Sequence, residues 1–147
     1  ASESGFRADV GVAYAVLRLT MGANFFVHGG ARLPHLAAFV AGTARGFEHT
    51  LLPAAVVVPF AYAIPFVEVA VGISLILGVG LRGVLPLAGL YMIALTFGTL
   101  LRADYLAVAE QLLYSLVFAI LIALRSFDRF SVDRKFVART PMAPSSR

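Results

Sequence analysis

Four apolar runs of about 20 residues or more dominate the chain, at residues 10–31, 53–80, 83–101 and 105–124. A helix of about 20 apolar residues is long enough to cross a hydrocarbon core ~30 Å thick. Only 14% of the 147 residues are charged, whereas a soluble domain usually carries about 25%. The chain therefore lacks the charges that a water-facing surface would need around these runs. The sequence predicts an all-α integral membrane protein, a single domain built as a four-helix bundle.

Two features interrupt this simple pattern. Between the first two spans, residues 35–42 are apolar enough to predict a short helix at the membrane interface. The second span contains Pro59 and Pro65, and each removes a backbone donor, so a kink or a break is expected there. The spans also contain glycines expected to permit close helix packing, at Gly22, Gly72, Gly78 and Gly89.

The distribution of basic residues predicts the orientation of the chain. With both termini inside, Arg7, Arg82 and the six basic residues of the tail 125–147 are cytoplasmic. Only Arg32, Arg45 and Arg102 are then outside, as the positive-inside rule favours. We therefore expect a multi-pass protein of the cell (inner) membrane with both termini in the cytoplasm. The net charge of +4 is read as this topology signal, and no nucleic-acid partner is expected.

Several redox centres are excluded by composition. The chain has no cysteine, so it cannot provide thiol chemistry, cysteine ligands to an iron–sulfur cluster or a covalent c-type haem. Of the three histidines only His28 is partly embedded, while His35 and His49 lie in the first loop. No spacing typical of metal ligands on a helix is present, and no haem or metal is expected on this chain.

Ionisable residues inside a span are costly and require a partner or a purpose. Counted from the predicted inner ends of their spans, Arg18 is about 12 Å deep and Glu68 about 18 Å deep. A long arginine side chain could bridge that difference, so Arg18 and Glu68 are predicted to form a buried pair. The alternative is that such a pair is architectural and only fixes the register of the helices.

A second polar layer is predicted near the outer ends of the spans. Asn24 and His28 share one face of the first helix, and Glu110 and Tyr114 share one face of the fourth, with Gln111 beside them. Two alternatives remain open, because His28 is close enough to the interface to be solvated and Glu110 is shallow enough to snorkel. From the residues alone, the prediction is a four-span protein with a buried polar cluster.

Two segments resemble the DoxX/DoxD-like family of small four-span membrane proteins. Residues 17–33, LRLTMGANFFVHGGARL, resemble the first-helix signature of that family: an arginine, a glycine four residues later, an aromatic residue, then His-Gly and a basic residue. Residues 66–83, FVEVAVGISLILGVGLRG, resemble its second helix, with a glutamate, spaced glycines and a terminal basic residue. The resemblance covers most of the chain.

The family takes its name from the small membrane subunit of a thiosulfate:quinone oxidoreductase, although many members have no assigned activity. The resemblance implies a membrane subunit that passes electrons from a redox partner to the quinone pool, with quinone as the possible cofactor. Arg18, His28 and Glu68 occupy signature positions of the family. Asn24, Glu110 and Tyr114 are added as cofactor-binding candidates from their depth, and no catalytic residue is assigned.

The sequence is compatible with three functions. The first is a quinone-interacting oxidoreductase subunit without its own metal centre, which makes enzymatic activity conditional on other protein subunits. The second is a non-catalytic anchor or assembly subunit that holds a larger complex at the lipid bilayer. The third is a small-molecule transporter, supported only by the prolines in the second span.

Overall fold

The computed structural model describes residues 2–137, and over this range the fold is all-α, which confirms the predicted class. The helix bounds follow in chain order: α1 Glu3–Arg32, α2 Leu36–Gly46, α3 Ala54–Leu77, α4 Leu81–Leu101, α5 Tyr105–Ala123 and α6 Val132–Val137. Within the described residues, four helical segments are long and apolar enough to cross a membrane. These are α1 with its continuation into α2, α3, α4 and α5.

The helices form two closely packed pairs. α1 packs mainly on α3 and α4 mainly on α5, while contact between α1 and α5 and between α3 and α4 is much sparser. In α1 the buried residues recur every three or four positions and so form one stripe along the helix. The two pairs meet in a common core that includes Tyr14, Met21, Leu75, Leu85 and Phe118. The bundle therefore consists of two layers, with the α1–α3 pair packed on the α4–α5 pair.

Glycine allows α1 and α3 to approach closely. A Cβ atom at Gly72 in α3 would lie 2.5 Å from the backbone nitrogen of Phe26 in α1. A Cβ atom at Gly29 in α1 would lie 2.6 Å from the carbonyl oxygen of Pro65 in α3. Small residues bring helix backbones together in this way in membranes. Gly29 was not among the glycines predicted to do so, although it belongs to the same contact.

Of the glycines predicted to allow helix packing, Gly78 ends a helix and Gly89 does not pack against a neighbour. Gly78 ends α3 in the left-handed conformation, with φ of 71°, and its N–H donates to the carbonyl of Ser74. This is the usual helix stop that glycine favours. Gly89 faces open space, because among the described residues no atom outside its two chain neighbours and the nearby backbone of its own helix lies within 4 Å of a Cβ built there. The packing role predicted for Gly89 is therefore wrong.

α3 runs through both of its prolines as one helix, Ala54–Leu77. Pro65 is buried in the contact with α1, where the carbonyl oxygen of Pro65 lies against Gly29. A break in this span is thus absent from the structure of residues 2–137. The two prolines were the only sequence feature that favoured a transporter, and an unbroken α3 does not support that function.

The segment after α5 is folded against the bundle. Ser131 and Asp128 are 1% and 6% exposed, and the backbone N–H groups of Gly80 and Leu81 both donate to the Asp133 carboxylate at 2.9 Å. A carboxylate at a helix start satisfies N–H groups that lack partners within the helix, so Asp133 caps α4. The first part of the predicted basic tail is therefore ordered and packs against the bundle beside the start of α4. The remainder, including Arg139 and Arg147, lies outside the described residues.

The bundle has two distinct ends. Gly11 of α1 lies against the Phe127 carbonyl, so the beginning of α1 and the chain after α5 meet at one end, which we call the terminal end. The opposite end, which we call the α2 end, carries α2 and the loop before α3. Arg7 and Arg82 belong to the terminal end, and Arg32 and Arg102 belong to the α2 end.

The absence of cysteine makes the orientation directly measurable. We predict that a single cysteine at His49, in the exposed loop of the α2 end, reacts with a membrane-impermeant maleimide on intact spheroplasts. A single cysteine at Ser126, exposed at the terminal end, should react only after the membrane is permeabilised. The reverse labelling pattern would show that the basic residues do not set the orientation as the positive-inside rule states.

Candidate functional site

A cavity of about 420 Å³ lies between the two helix pairs at the α2 end. Residues of both helix pairs and of α2 line it. Its walls are mainly aromatic and aliphatic, contributed by Phe39, Phe47, Phe60, Ile64, Met92, Leu95 and Phe97. Small-molecule sites are commonly apolar clefts of about 300–1,000 Å³ with a few polar groups that orient the ligand. The volume and the lining of this cavity have that character.

The cavity brings together most of the polar residues predicted from the sequence. Those that line it are Asn24, His28, Glu68, Glu110, Gln111 and Tyr114. They come from three helices, because α1, α3 and α5 all expose a face to the space between the pairs. His28 and Glu110 are exposed within it, whereas Glu68 is only 7% exposed. Arg18 does not line this cavity.

Glu68 is paired with Arg32, and the predicted Arg18–Glu68 pair is wrong. The Arg32 guanidinium donates to Glu68 Oε2, and the Tyr91 hydroxyl donates to Glu68 Oε1 at 3.3 Å. The error came from aligning the inner ends of the two spans. Gly29 packs beside Glu68, so Arg18 lies eleven residues away along α1, about 16 Å down the helix axis.

Arg18 instead lies at the far end of α3. Its side chain is 2% exposed, and its guanidinium donates to the carbonyl oxygens of Leu75 and Ile76. Those carbonyls belong to the last turn of α3, where backbone acceptors lack helical partners and the helix dipole favours a cation. Arg18 therefore has a local structural role, and its assignment to the cofactor site is a prediction that its position does not support.

Gln111 offers an unused acceptor beside the cavity. Its side-chain N–H donates to Thr99 Oγ1 at 3.0 Å, and the Thr99 hydroxyl donates to the Leu95 carbonyl at 2.8 Å. These bonds fix the orientation of the amide. Its Oε1 atom is buried and has no hydrogen-bond partner among residues 2–137. A buried carbonyl without a partner is costly, so this atom is an unsatisfied acceptor within the cavity wall.

Helix α2 covers the mouth of the cavity through two cation–π contacts. The Arg32 guanidinium lies 5.1 Å from the ring centre of Phe39, and the Arg102 guanidinium lies 5.5 Å from that of Phe47. Contacts of this kind contribute about 0.5–2 kcal/mol, depending on solvent exposure. The two arginines thus join α2 to the ends of α1 and α4.

Sequence reasoning missed Arg32, Arg102, Tyr91 and Thr99 as residues of this region. Arg32 and Arg102 were assigned to loops because the predicted spans end at residues 31 and 101. α1 in fact continues through Arg32, which places that guanidinium beside Glu68. The pair could have been predicted only if the offset between α1 and α3 were known. That offset follows from the contact between Gly29 and Glu68, which leaves Arg18 eleven residues away along α1.

Metal ligation has no geometric support in the described part of the chain. Among residues 2–137, no group of three or more His, Cys, Asp or Glu residues is arranged to hold a metal ion. The polar groups of the cavity are instead spread over its wall.

The structure defines a multi-pass membrane protein, a four-helix bundle whose half that carries α2 contains a mainly apolar cavity with several polar groups in its wall. Comparison with family models matches residues 13–104 to DoxX, and the chain belongs to the DoxX family. This identification confirms the resemblance seen in the first and second spans, and it associates the chain with membrane proteins of oxidoreductase type. Searches of curated proteins and of solved structures found no match.

Proposed function

We propose that the chain is the quinone-interacting membrane subunit of an oxidoreductase complex. The observation that carries the proposal is the cavity of about 420 Å³, which combines aromatic walls with polar groups at membrane depth. A quinone head group is a flat apolar ring with two carbonyl acceptors, and this combination suits it. Membership of the DoxX family supports the oxidoreductase class.

The polar groups of the cavity suit both redox forms of such a ring. A quinone accepts hydrogen bonds through its carbonyls, and its two-electron reduced form carries hydroxyl donors. Asn24, His28 and Tyr114 can donate to the carbonyls, and the amide oxygen of Asn24 or a neutral His28 ring can accept from a hydroxyl. A site with both kinds of partner can hold the ring before and after electron transfer.

Proton supply is the second requirement of quinone chemistry, because reduction consumes two protons. Glu110 is exposed in the cavity and Glu68 is buried at its wall. We propose that Glu110 exchanges protons with water at the α2 end, and that His28 passes them inward. The Arg32–Glu68–Tyr91 contacts would then hold the wall of the cavity in place, with Glu68 as an acceptor that orients Tyr91.

The electron donor would belong to another subunit. The sequence has no cysteine, so this chain cannot supply electrons through thiol or cysteine-ligated chemistry. A non-catalytic anchor would also require a partner, and the two functions differ only in whether the cavity binds quinone. The experiment that separates them is therefore a binding measurement on the isolated chain.

The absence of tryptophan provides the probe, since quinones quench tryptophan fluorescence. Phe97→Trp places a single reporter in the cavity wall, and Leu112→Trp places one outside it. Their exposures are matched at 56% and 57%, and Leu112 adjoins Gln111, which bonds to Thr99, so the depths are similar. In nanodiscs we predict saturable quenching by a short-tailed ubiquinone at residue 97 and only weak, linear quenching at residue 112.

A histidine variant tests the assignment of His28 in the Phe97→Trp background. Loss of one hydrogen bond costs about 1 kcal/mol, so His28→Ala should weaken quinone binding about five- to tenfold. His49→Ala, in the loop outside the cavity lining, is the matched control and should leave binding unchanged. Equal linear quenching at both reporter positions would reject the quinone site and leave the anchor as the better explanation.

A further inference from the structure

A groove of about 250 Å³ runs along the outside of the bundle between α1 and α5. It is lined by Leu17, Thr20 and Met21 of α1 and by Leu113 and Val117 of α5. Contact between α1 and α5 is sparse. The lining of the groove is mainly apolar over a stretch of the bundle that faces lipid, so it can accept a hydrocarbon chain.

The groove adjoins the cavity described above, and the two spaces share part of their walls. Asn24 and Tyr114 line both. Tyr114 is held edge-on against Phe25, with ring centres 6.3 Å apart, and thus forms the boundary between the two spaces. From Asn24 to Leu17 the groove extends two turns of α1, about 10 Å, away from the α2 end. The groove therefore runs from the shared wall at Asn24 and Tyr114 towards the middle of the spanning helices.

Two side-chain contacts bridge the opposite seam of the bundle, between α3 and α4. Tyr91 of α4 donates to Glu68 of α3, and its ring lies 6.4 Å from that of Phe60, centre to centre. These contacts join α3 to α4 just inside the cavity. These contacts obstruct the α3–α4 seam beside the cavity, whereas the α1–α5 seam carries the groove.

We propose that this groove holds the isoprenoid tail of the quinone whose head group occupies the cavity. The inference rests on the proposed function and adds the class of substrate, a lipid quinone with a long tail that enters sideways from the bilayer. The tail is the occupant that the observations favour, because the groove adjoins the cavity at Asn24 and Tyr114, is lined mainly by apolar side chains and runs along the spanning helices.

Filling the groove tests the proposal. The plug is the double variant Thr20→Phe, Val117→Phe, which adds one ring from each side of the groove. The matched control is Leu19→Phe, Leu116→Phe, at neighbouring positions of the same helices that are 44% and 56% exposed and outside the groove. Both are made in the Phe97→Trp background, and quenching is titrated with a short-tailed and a long-tailed ubiquinone of the same head group.

The expected result is selective. The plug should weaken binding of the long-tailed ubiquinone about tenfold or more and leave the short-tailed one within about twofold. The control should bind both as the parent does. Unchanged binding of the long-tailed ubiquinone in the plugged protein would overturn the groove while leaving the head-group site intact. Absence of saturable quenching by either ubiquinone in the parent would instead overturn the proposed function.

A second measurement leaves the groove open and so does not depend on how the plugged protein folds. Leu113→Trp lies in the groove and Leu112→Trp lies outside it, at exposures of 58% and 57%. A ubiquinone brominated on its tail should quench residue 113 more strongly than residue 112, in a manner that a non-brominated long-tailed ubiquinone competes away. Equal quenching at the two positions would place the tail in bulk lipid and overturn the proposal.

Discussion

Replacing Arg32 by Met should destabilise the protein by about 3 kcal/mol, because it leaves the Glu68 carboxylate without its cation. Breaking a buried ion pair from one side costs about 3–5 kcal/mol. The lower figure applies here, since the Arg32 side chain is 31% exposed and the Glu68 side chain 9%. Tyr91 alone remains as a partner of Glu68. The loss is measured from the temperature at which the detergent-solubilised protein ceases to be monodisperse.

Glu68→Gln is expected to have a smaller effect, about 1 kcal/mol. The amide oxygen still accepts a hydrogen bond, and the arginine left behind is partly exposed. A destabilisation by Glu68→Gln that equals or exceeds that of Arg32→Met would contradict the view that an uncompensated buried carboxylate dominates the cost.

The double variant Arg32→Met, Glu68→Leu separates architecture from function. Replacing both members of a buried pair by apolar residues is often neutral, so stability should return to within about 1 kcal/mol of the parent. In the Phe97→Trp background, unchanged quinone quenching would then show that the pair only fixes the helices. Stable protein with weakened quenching would show that the pair also shapes the quinone site.

Much of the fold could be predicted because bilayer thickness fixes helix length. α3, α4 and α5 lie within a few residues of the runs recognised by hydrophobicity. α1 begins at Glu3, seven residues before the predicted span, because its first turns are amphipathic and pack beside the segment after α5. Hydrophobicity predicts which residues contact lipid, but it does not predict how far a helix continues beyond the membrane.

The candidate site could be predicted only in part, and the reason is register. Residues on the same face of one helix, such as Asn24 with His28, follow from the helical period. Partners on different helices depend on how far one helix slides along the other. Glycine contacts set that offset between α1 and α3, and they direct Glu68 to Arg32 rather than to Arg18. Such contacts depend on distances that differ by tenths of an ångström, and the hydrophobicity pattern of a sequence does not predict them.

Gly72→Val should cause the largest loss of stability, about 3 kcal/mol or more. A Cβ atom at residue 72 would lie 2.5 Å from the nitrogen of Phe26 and 2.8 Å from its Cα atom. Both are backbone atoms of α1, so no side chain can rotate away and the helices themselves must separate. We expect little monodisperse protein after extraction in mild detergent, measured by size-exclusion chromatography.

Gly89→Val is the matched control for the same exchange in another spanning helix. Both glycines are within helices, so the intrinsic change in helix propensity is equal. Among the described residues, no atom outside the chain neighbours and the nearby backbone of the same helix lies within 4 Å of a Cβ at residue 89, and this variant should elute as the parent does. Equal loss in both variants would show that valine harms insertion itself and that the α1–α3 contact is not the cause.

The same contact connects stability to the candidate site. Gly72 lies one turn from Glu68 in α3, and a Cβ at Gly29 would lie 2.9 Å from that of Glu68. Close approach of the two backbones thus places the end of α1 beside Glu68 and allows Arg32 to reach it. Gly72→Ala is therefore expected to be the milder variant that keeps the fold but shifts the pair. Its quinone quenching in the Phe97→Trp background should weaken, whereas that of Gly89→Ala should not.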